Sequence, residues 1–315
     1  MTSETITYSA VIPVYNSTDS LVELCDRLCA VFSNVVRTTY EIILVDDASP
    51  NPNTWKTVER LTGRYDEVIG VQLMRNFGKA GAILCGFERA KGKYIFTLDD
   101  DMQHFPEDIP KFIENQHHDV VMGAYVQKRH SFSKRLTSHI KGWFDWKLAG
   151  KPFHLQSNPF RLYRSEVVKS MLRMTTPHPF ISAMMYYTTQ DIVTVDIAHG
   201  KRMGAPSSFN MVKRIKSFTN LLFNHSSFLL QVISIGGVSV SAVSLILGIY
   251  YILKNFVIGI PVPGWTSLMV VTLFTNGLLL FSVGVIGEYL IRIITGVERR
   301  PPYIIRKTFD RKNNG

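Results

Sequence analysis

Tyr94-Ile95-Phe96-Thr97-Leu98-Asp99-Asp100-Asp101-Met102-Gln103 is an apolar strand that runs straight into three consecutive carboxylates and an amide. Side chains alternate along a strand, so Asp99 and Asp101 turn to the same side. Crowding two negative charges there costs free energy unless a cation neutralises them. Hard oxygen donors of this kind suit Mg2+ or Mn2+, and those ions in turn suit a diphosphate. The blander reading of such a run is a solvated acidic turn or a helix N-cap. The rest of the chain decides between the two.

From Thr7 to Ala198 short apolar strands alternate with helical stretches, the pattern of an α/β domain with a largely parallel sheet. Strands are expected at Tyr8 to Val14, Tyr40 to Val45, Val68 to Met74, Tyr94 to Leu98 and Val120 to Tyr125. Helices of the 3.6-residue period fill gaps between them at Ser20 to Val36, Thr54 to Tyr65 and Lys79 to Ala90. Four of the strands end in polar residues: Tyr15-Asn16, Asp46-Asp47, Arg75-Asn76 and Asp99 to Asp101. Ligands of open α/β sheets bind outside the carboxyl ends of the strands, so these four sets are expected to line one crevice.

The second half of the chain has a different character. No charged side chain occurs between His225 and Lys254, and none between Lys254 and Glu288. Each run exceeds the roughly 20 apolar residues needed to cross a bilayer core, which predicts spans at Phe228 to Leu253 and Ser267 to Ile294. Basic residues sit before the first (Lys213, Arg214, Lys216) and after the second (Arg292, Arg299, Arg300, Arg306, Lys307). The positive-inside rule then puts both termini in the cytoplasm and the loop with Pro261, Pro263 and Trp265 on the far side. The first thirty residues lack a charged n-region followed by an apolar h-region, so no cleavable signal peptide is expected. Between Ser207 and Ser227, Phe209, Met211, Val212, Ile215 and Phe218 interleave with Lys213, Arg214 and Lys216, as in helices lying at a membrane interface.

The net charge of +10 admits nucleic acid or an anionic membrane as partner. Its clustering beside the spans favours membrane lipids over nucleic acid. Cys25, Cys29 and Cys85 are too few and too oddly spaced for a disulfide framework or a zinc site, and read as small core residues.

Three of the stretches above resemble family 2 glycosyltransferases with the GT-A fold: Ala10-Val11-Ile12-Pro13-Val14-Tyr15-Asn16, Ile43-Leu44-Val45-Asp46-Asp47-Ala48-Ser49, and Leu98 to Gln103. The resemblance narrows to the polyprenyl-phosphate branch, which includes bactoprenol glucosyltransferases and undecaprenyl-phosphate aminoarabinose transferases. The narrowing motifs are Arg75-Asn76-Phe77-Gly78-Lys79, Gln103-His104-Phe105-Pro106-Glu107, Gly284 to Arg292 and Arg300-Pro301-Pro302-Tyr303. It implies a cytosolic GT-A catalytic domain over 1–206, amphipathic juxtamembrane helices over 207–227, two transmembrane helices over 228–294 and a cytosolic tail over 295–315.

The resemblance also implies residue roles. Asp47 matches a carboxylate that accepts from the donor base, with Pro13, Tyr15 and Asn16 framing the same pocket and Arg75 meeting the nucleotide. Asp99, Asp101 and Gln103 match the metal set, Asp101 foremost, and the metal expected is Mg2+ or Mn2+. Arg129, Arg135 and Arg202 with Ser207 match cationic segments that would hold the acceptor phosphate, which guanidinium forks grip bidentately. The implied reaction is inverting transfer of one sugar from a nucleotide donor, by family default a uridine diphosphate sugar, to polyprenyl phosphate on the cytosolic leaflet of the inner membrane.

Departures bear on mechanism. Val126 stands where relatives carry arginine, Ala205 where they carry glycine, and Ser157-Asn158 where many offer an aspartate as catalytic base. A lipid phosphate with a second pKa of ~6 is already largely dianionic at neutral pH, so its nucleophilic oxygen needs no base. Asp46 either caps its loop or touches the ligand, Asp100 reads as structural, and His104, His117 and His118 read as surface histidines. Glu288 and Arg292 lie one turn apart at the inner end of the second span. Two other functions compete. A processive polysaccharide synthase lacks its Gln-x-x-Arg-Trp motif here and would need more spans, and a silent sugar-nucleotide-binding subunit would have less use for an intact acidic cluster. Homo-oligomerisation through the spans stays open.

Overall fold

The computed structural model describes residues 5–125, 158–176, 179–198, 200, 236, 239, 246, 264–297 and 300–310. Arg129, Arg135, Arg202, Ser207, Val126, Ser157, Ala205, the expected interfacial helices and nearly all of the expected first span lie outside the described residues. The chain divides into two compact units, Met1–Ser208 with Arg299–Gly315, and Phe209–Glu298.

The first unit is built on an eight-stranded mixed sheet. Its strands are β1 (Tyr8–Val14), β2 (Tyr40–Asp46), β3 (Val68–Leu73), β4 (Tyr94–Thr97), β5 (Val120–Tyr125), β6 (Arg161–Arg164), β7 (Ile192–Ile197) and β8 (Ile305–Phe309), in the spatial order β7-β5-β6-β4-β1-β2-β3-β8. Pairing is parallel from β3 through β2 and β1 to β4, and between β5 and β7. It is antiparallel where β6 slots between β4 and β5 and where β8 joins β3. The expected parallel strands are therefore present, with ends shifted by at most one residue.

Period-two alternation divides the core between the two faces of the sheet. On one face Ala10, Ile12, Ile42, Leu44 and Phe96 pack with α1 (Asp19–Ala30), α2 (Pro52–Arg64) and α4 (Ile109–Glu114). On the other, Val11, Ile43, Val45, Ile95 and Val120 pack with α3 (Lys79–Arg89), α5 (Ser165–Leu172) and α6 (Ile181–Thr188). Central strands buried on both sides have no polar face, which is why β1 and β2 read as continuous apolar runs. α2 starts where Pro52 sets the first helical residue and the Asn51 side chain accepts from Asn53 N at 3.0 Å. The helix expected to run on to Val36 instead widens into a π-helical turn over Val31–Val36, closed by Arg37 in the left-handed region at φ 55°.

β8 follows the long helix of the second unit in sequence and covers the β3 edge. Met74 N donates to Ile304 O at 2.8 Å and Arg306 Nη2 to Met74 O at 3.1 Å. Lys307 Nζ lies 4.4 Å from the Trp55 ring and 3.2 Å from Glu59 Oε1. The segment expected as a tail is thus the last strand of the sheet, and its charged residues blunt the new edge.

In the second unit the described residues form chiefly α7 (Trp265–Val297), 33 residues long. Its exposed side chains include Leu268, Phe274, Leu279, Phe281, Leu290 and Ile293. Over the described residues alone, no helix is long and apolar enough to cross a membrane.

Candidate functional site

β1 lies between β2 and β4, and the chain leaves toward β2 and β3 before returning to β4 on the other side. This is the switch point of the sheet, where loops diverge and leave a crevice above the strand ends. Pro13 marks the place. In a parallel pair alternate residues face alternate neighbours, and Val11 O faces β4, accepting from Leu98 N. Pro13 faces the same side beyond the end of β4, so its missing N–H forfeits no ladder bond.

Three of the strand-end turns hold a non-glycine residue in the left-handed region: Asn16 (φ 61°), Ala48 (φ 49°) and Met102 (φ 60°). Such conformations persist where surrounding contacts over-determine them. Those contacts join one strand end to the next. Asp100 Oδ2 accepts from Tyr15 N at 3.0 Å and Ser17 Oγ at 2.6 Å, tying β4 to β1. Asn16 N donates to Ser49 Oγ at 2.9 Å and Asn16 Oδ1 accepts from Asn51 N at 3.2 Å, tying β1 to β2. Asp47 accepts from Phe77 N at 2.7 Å and Gly78 N at 2.8 Å, tying β2 to β3. Lys79, the first residue of α3, sets its ammonium against Asp99 Oδ1. These contacts link the four strand-end loops to one another at one end of the sheet.

Within this frame Asp46 and Asp100 both bind neighbouring loops, as expected of Asp100 and of one of the two readings of Asp46. Asp46 Oδ1 accepts from Ser49 N at 3.0 Å and Oδ2 from Gln72 Nε2 at 2.9 Å. Burial pushes the Asp100 carboxyl upward, against the pull of its Ser17 and Tyr15 donors. Asp47 is likewise raised by burial, to about 6, in spite of its two backbone donors. Arg75 lays its guanidinium 4.5 Å from the Phe77 ring centroid, and Tyr15 is 46% exposed, so both have surface to offer a ligand.

The acidic turn itself is held from several sides. Asp101 Oδ1 accepts from Gln103 N at 3.2 Å, and Gln103 O accepts from Gly200 N at 3.0 Å. Asp99 Oδ1 is buried and faces the Lys79 ammonium. A buried carboxylate oxygen held against a cation is a position a metal ion could take once the ammonium moves aside. Among the described residues no three His, Cys, Asp or Glu side chains are grouped to hold a metal ion. Two carboxylates and the Gln103 amide nevertheless fit Mg2+ or Mn2+, which accept one or two protein carboxylates when substrate phosphates and water complete the shell.

His104 departs from expectation. Read as a surface residue, it is 1% exposed, with Nε2 2.8 Å from Tyr125 Oη and its ring parallel to the Tyr125 ring. Burial lowers its pKa, partly opposed by Asp99 and Asp101. The reason is topological: the turn folds back under β5 and β6, so a residue in a polar sequence context meets Phe160 and Tyr125. His118 does sit at the surface, its Nδ1 2.6 Å from Asp191 Oδ1. Asn158, where the resemblance led a base to be expected, is buried and accepts from Phe160 N at 2.8 Å, as a turn former does. Lys79 and Gly200 were also missed. Lys79 lay inside a motif already singled out, whereas no local signal marks Gly200.

The pattern that defines glycosyl transferase family 2 matches residues 9–172. Undecaprenyl-phosphate 4-deoxy-4-formamido-L-arabinose transferase of Edwardsiella ictaluri is 32% identical over 305 residues, covering 95% of this chain and 93% of the relative. The enzyme of the same name from Pectobacterium atrosepticum is 31% identical over 307 residues, with coverages of 95% and 93%. Among solved structures, glucosyl-3-phosphoglycerate synthase from Mycobacterium tuberculosis in complex with Mg2+ and uridine diphosphate superposes with a TM-score of 0.51 at 12% identity. The match covers 70% of this chain and 80% of that one, and is a likeness of fold.

Proposed function

The chain belongs to glycosyl transferase family 2, with a GT-A-like α/β fold and mixed sheet, and from that premise we propose that it transfers one sugar from a nucleotide donor to a polyprenyl phosphate. The observation that carries this reading is the cross-linked set of strand ends at the switch point, with the acidic turn and the Lys79 ammonium facing each other across it. The acceptor follows from the relatives, which are named for undecaprenyl phosphate and match nearly end to end.

In this reading the donor is a uridine diphosphate sugar. Asp47, Pro13, Tyr15, Asn16 and Arg75 form the nucleotide pocket, and Asp99, Asp101 and Gln103 hold Mg2+ or Mn2+. The ion, when bound, neutralises charge on the departing diphosphate. The chain's own residues do the rest. The Phe77 and Gly78 N–H groups hold Asp47 in place, and Asp100 anchors the acidic turn to β1. Lys79 is released from Asp99 to face diphosphate oxygens. Arg129, Arg135, Arg202 and Ser207 bind the acceptor phosphate and orient its oxygen behind the anomeric carbon, so that the new C–O bond forms as the bond to the diphosphate breaks, with inversion. The dianionic phosphate arrives deprotonated, so a buried, turn-forming Asn158 in place of a carboxylate is compatible with turnover.

We further propose that Phe228 to Leu253 and Ser267 to Ile294 span the inner membrane with both termini cytosolic. Supporting this are the uncharged sequence of α7 up to Glu288 and its exposed apolar side chains, which a lipid environment would cover. The test is transfer by the full-length protein in detergent, supplied with radiolabelled nucleotide sugars, undecaprenyl phosphate and Mn2+. A single-sugar lipid, lost in excess chelator and in Asp101→Asn, is expected. A polymer, no product with any donor, or full activity in chelator would each refute a stated part of the proposal.

A further inference from the structure

His104 is a buried polar side chain for which the reaction proposed above has no use. Three segments meet on it: the acidic turn to which it belongs, the end of β5 through Tyr125, and the approach to β6 through Asn158 and Phe160. The imidazole lies parallel to the Tyr125 ring, centroids 5.9 Å apart at 5°, and leans on Phe160 at 5.6 Å. The Asn158 amide acts on both His104 and Tyr125. Met102, two residues before it, is 2% exposed, in the left-handed region, and its carbonyl abuts Gly200.

Phenylalanine would fill such an aromatic site without burying two polar ring nitrogens. What imidazole adds is a directional bond from Nε2 to Tyr125 Oη at 2.8 Å. That bond sets the depth and rotation of the segment from Met102 to Phe105, and so where Gln103 and the Asp101 carboxylate stand relative to β5.

We infer that His104 is a positioning residue, which with Tyr125 holds the acidic turn in the geometry that binds a metal–diphosphate group. The inference rests on reading that turn as the donor diphosphate site. His104 itself touches neither donor nor metal; it acts through Gln103 and Asp101.

Calorimetric titration of the full-length protein in detergent with uridine diphosphate, with Mn2+ and separately in chelator, tests it. The readout is the gain in affinity that Mn2+ confers, which loss of fold stability alone does not alter. Tyr125→Phe keeps the ring and removes the hydroxyl, and is expected to cut that gain about five- to tenfold, the effect of one lost hydrogen bond. His104→Phe should do the same, while His104→Gln, which can offer an amide to Tyr125, should recover most of it. Should His104→Phe fail to fold, Tyr125→Phe still decides. Wild-type gain in Tyr125→Phe and His104→Phe would overturn the inference and leave the site reading standing. Absence of any Mn2+-dependent gain in the wild type would overturn both.

Discussion

Gly200→Ala isolates the contact that holds the acidic turn from outside. A Cβ built on Gly200 falls 2.4 Å from Met102 O and 3.0 Å from the Phe105 ring. The carbonyl would have to retreat by 0.6 Å to reach 3.0 Å, below which real Cβ contacts are essentially never found. It belongs to a left-handed residue between Asp101 and Gln103, so the backbone cannot swing aside as a side chain could. Gly200 does not itself occupy the left-handed region, so alanine's backbone preference is satisfied and the chain gains about 0.4–1 kcal/mol from a stiffer unfolded state. Overpacking against a fixed backbone costs about 1–3 kcal/mol, so the net effect is destabilisation by up to about 2.5 kcal/mol. Displacing the proposed metal ligands Asp101 and Gln103 by a sizeable fraction of an ångström is expected to lower turnover by about tenfold or more. Gly63, exposed in α2 with nothing within 4 Å of a built Cβ, supplies the control, and Gly63→Ala should stabilise by about 0.5–1 kcal/mol. Apparent Tm and Mn2+-dependent binding of uridine diphosphate would be measured side by side in detergent. A Gly200→Ala protein with raised Tm and undiminished binding would refute the packing of residue 200 against the turn.

Asp47 predicts a pH dependence. Its folded pKa of about 6 lies above the ordinary aspartate value, so its contribution to stability is fully present below that ordinary value and is lost as pH rises through about 6. Asp47→Asn should be less stable overall, because an amide N–H must face Phe77 or Gly78 N–H, yet should close the gap on wild type between about pH 4 and 7; a constant gap would contradict the raised pKa. Membrane topology can be read with a cysteine placed at Pro263, since Cys25, Cys29 and Cys85 are buried and burial pushes Cys29 and Cys85 up to about 11. Labelling from the far side is expected, and labelling from the cytosolic side would invert the assignment. Arg202→Ala should raise the apparent KM for lipid phosphate about tenfold while donor KM holds, as loss of a charge-assisted hydrogen bond does; equal weakening of both would move Arg202 to the donor diphosphate.

Much of the fold was legible because its signals are local. Apolar runs of strand length identify β1 to β5, and Asp, Asn or Arg at the ends of β1 to β4 mark their polar ends, without knowledge of any partner strand. The acidic turn, the structural reading of Asp100, and the long uncharged stretches are likewise properties of neighbouring residues. Sequence did not reveal β6, four residues long and led by the buried Arg161, β7, or β8, which carries Arg306 and Lys307 and reads as tail. All three are strands because a neighbour's unpaired edge completes them, and an edge is not written in the segment that covers it. The same holds within the site. Lys79 faces Asp99, Gly200 meets Met102, and His104 reaches Tyr125 only because the sheet reverses direction at β1 and brings distant loops to one crevice. Residue chemistry along a chain can be read one window at a time, whereas burial of a polar side chain depends on which other windows arrive beside it, and tertiary packing alone decides that.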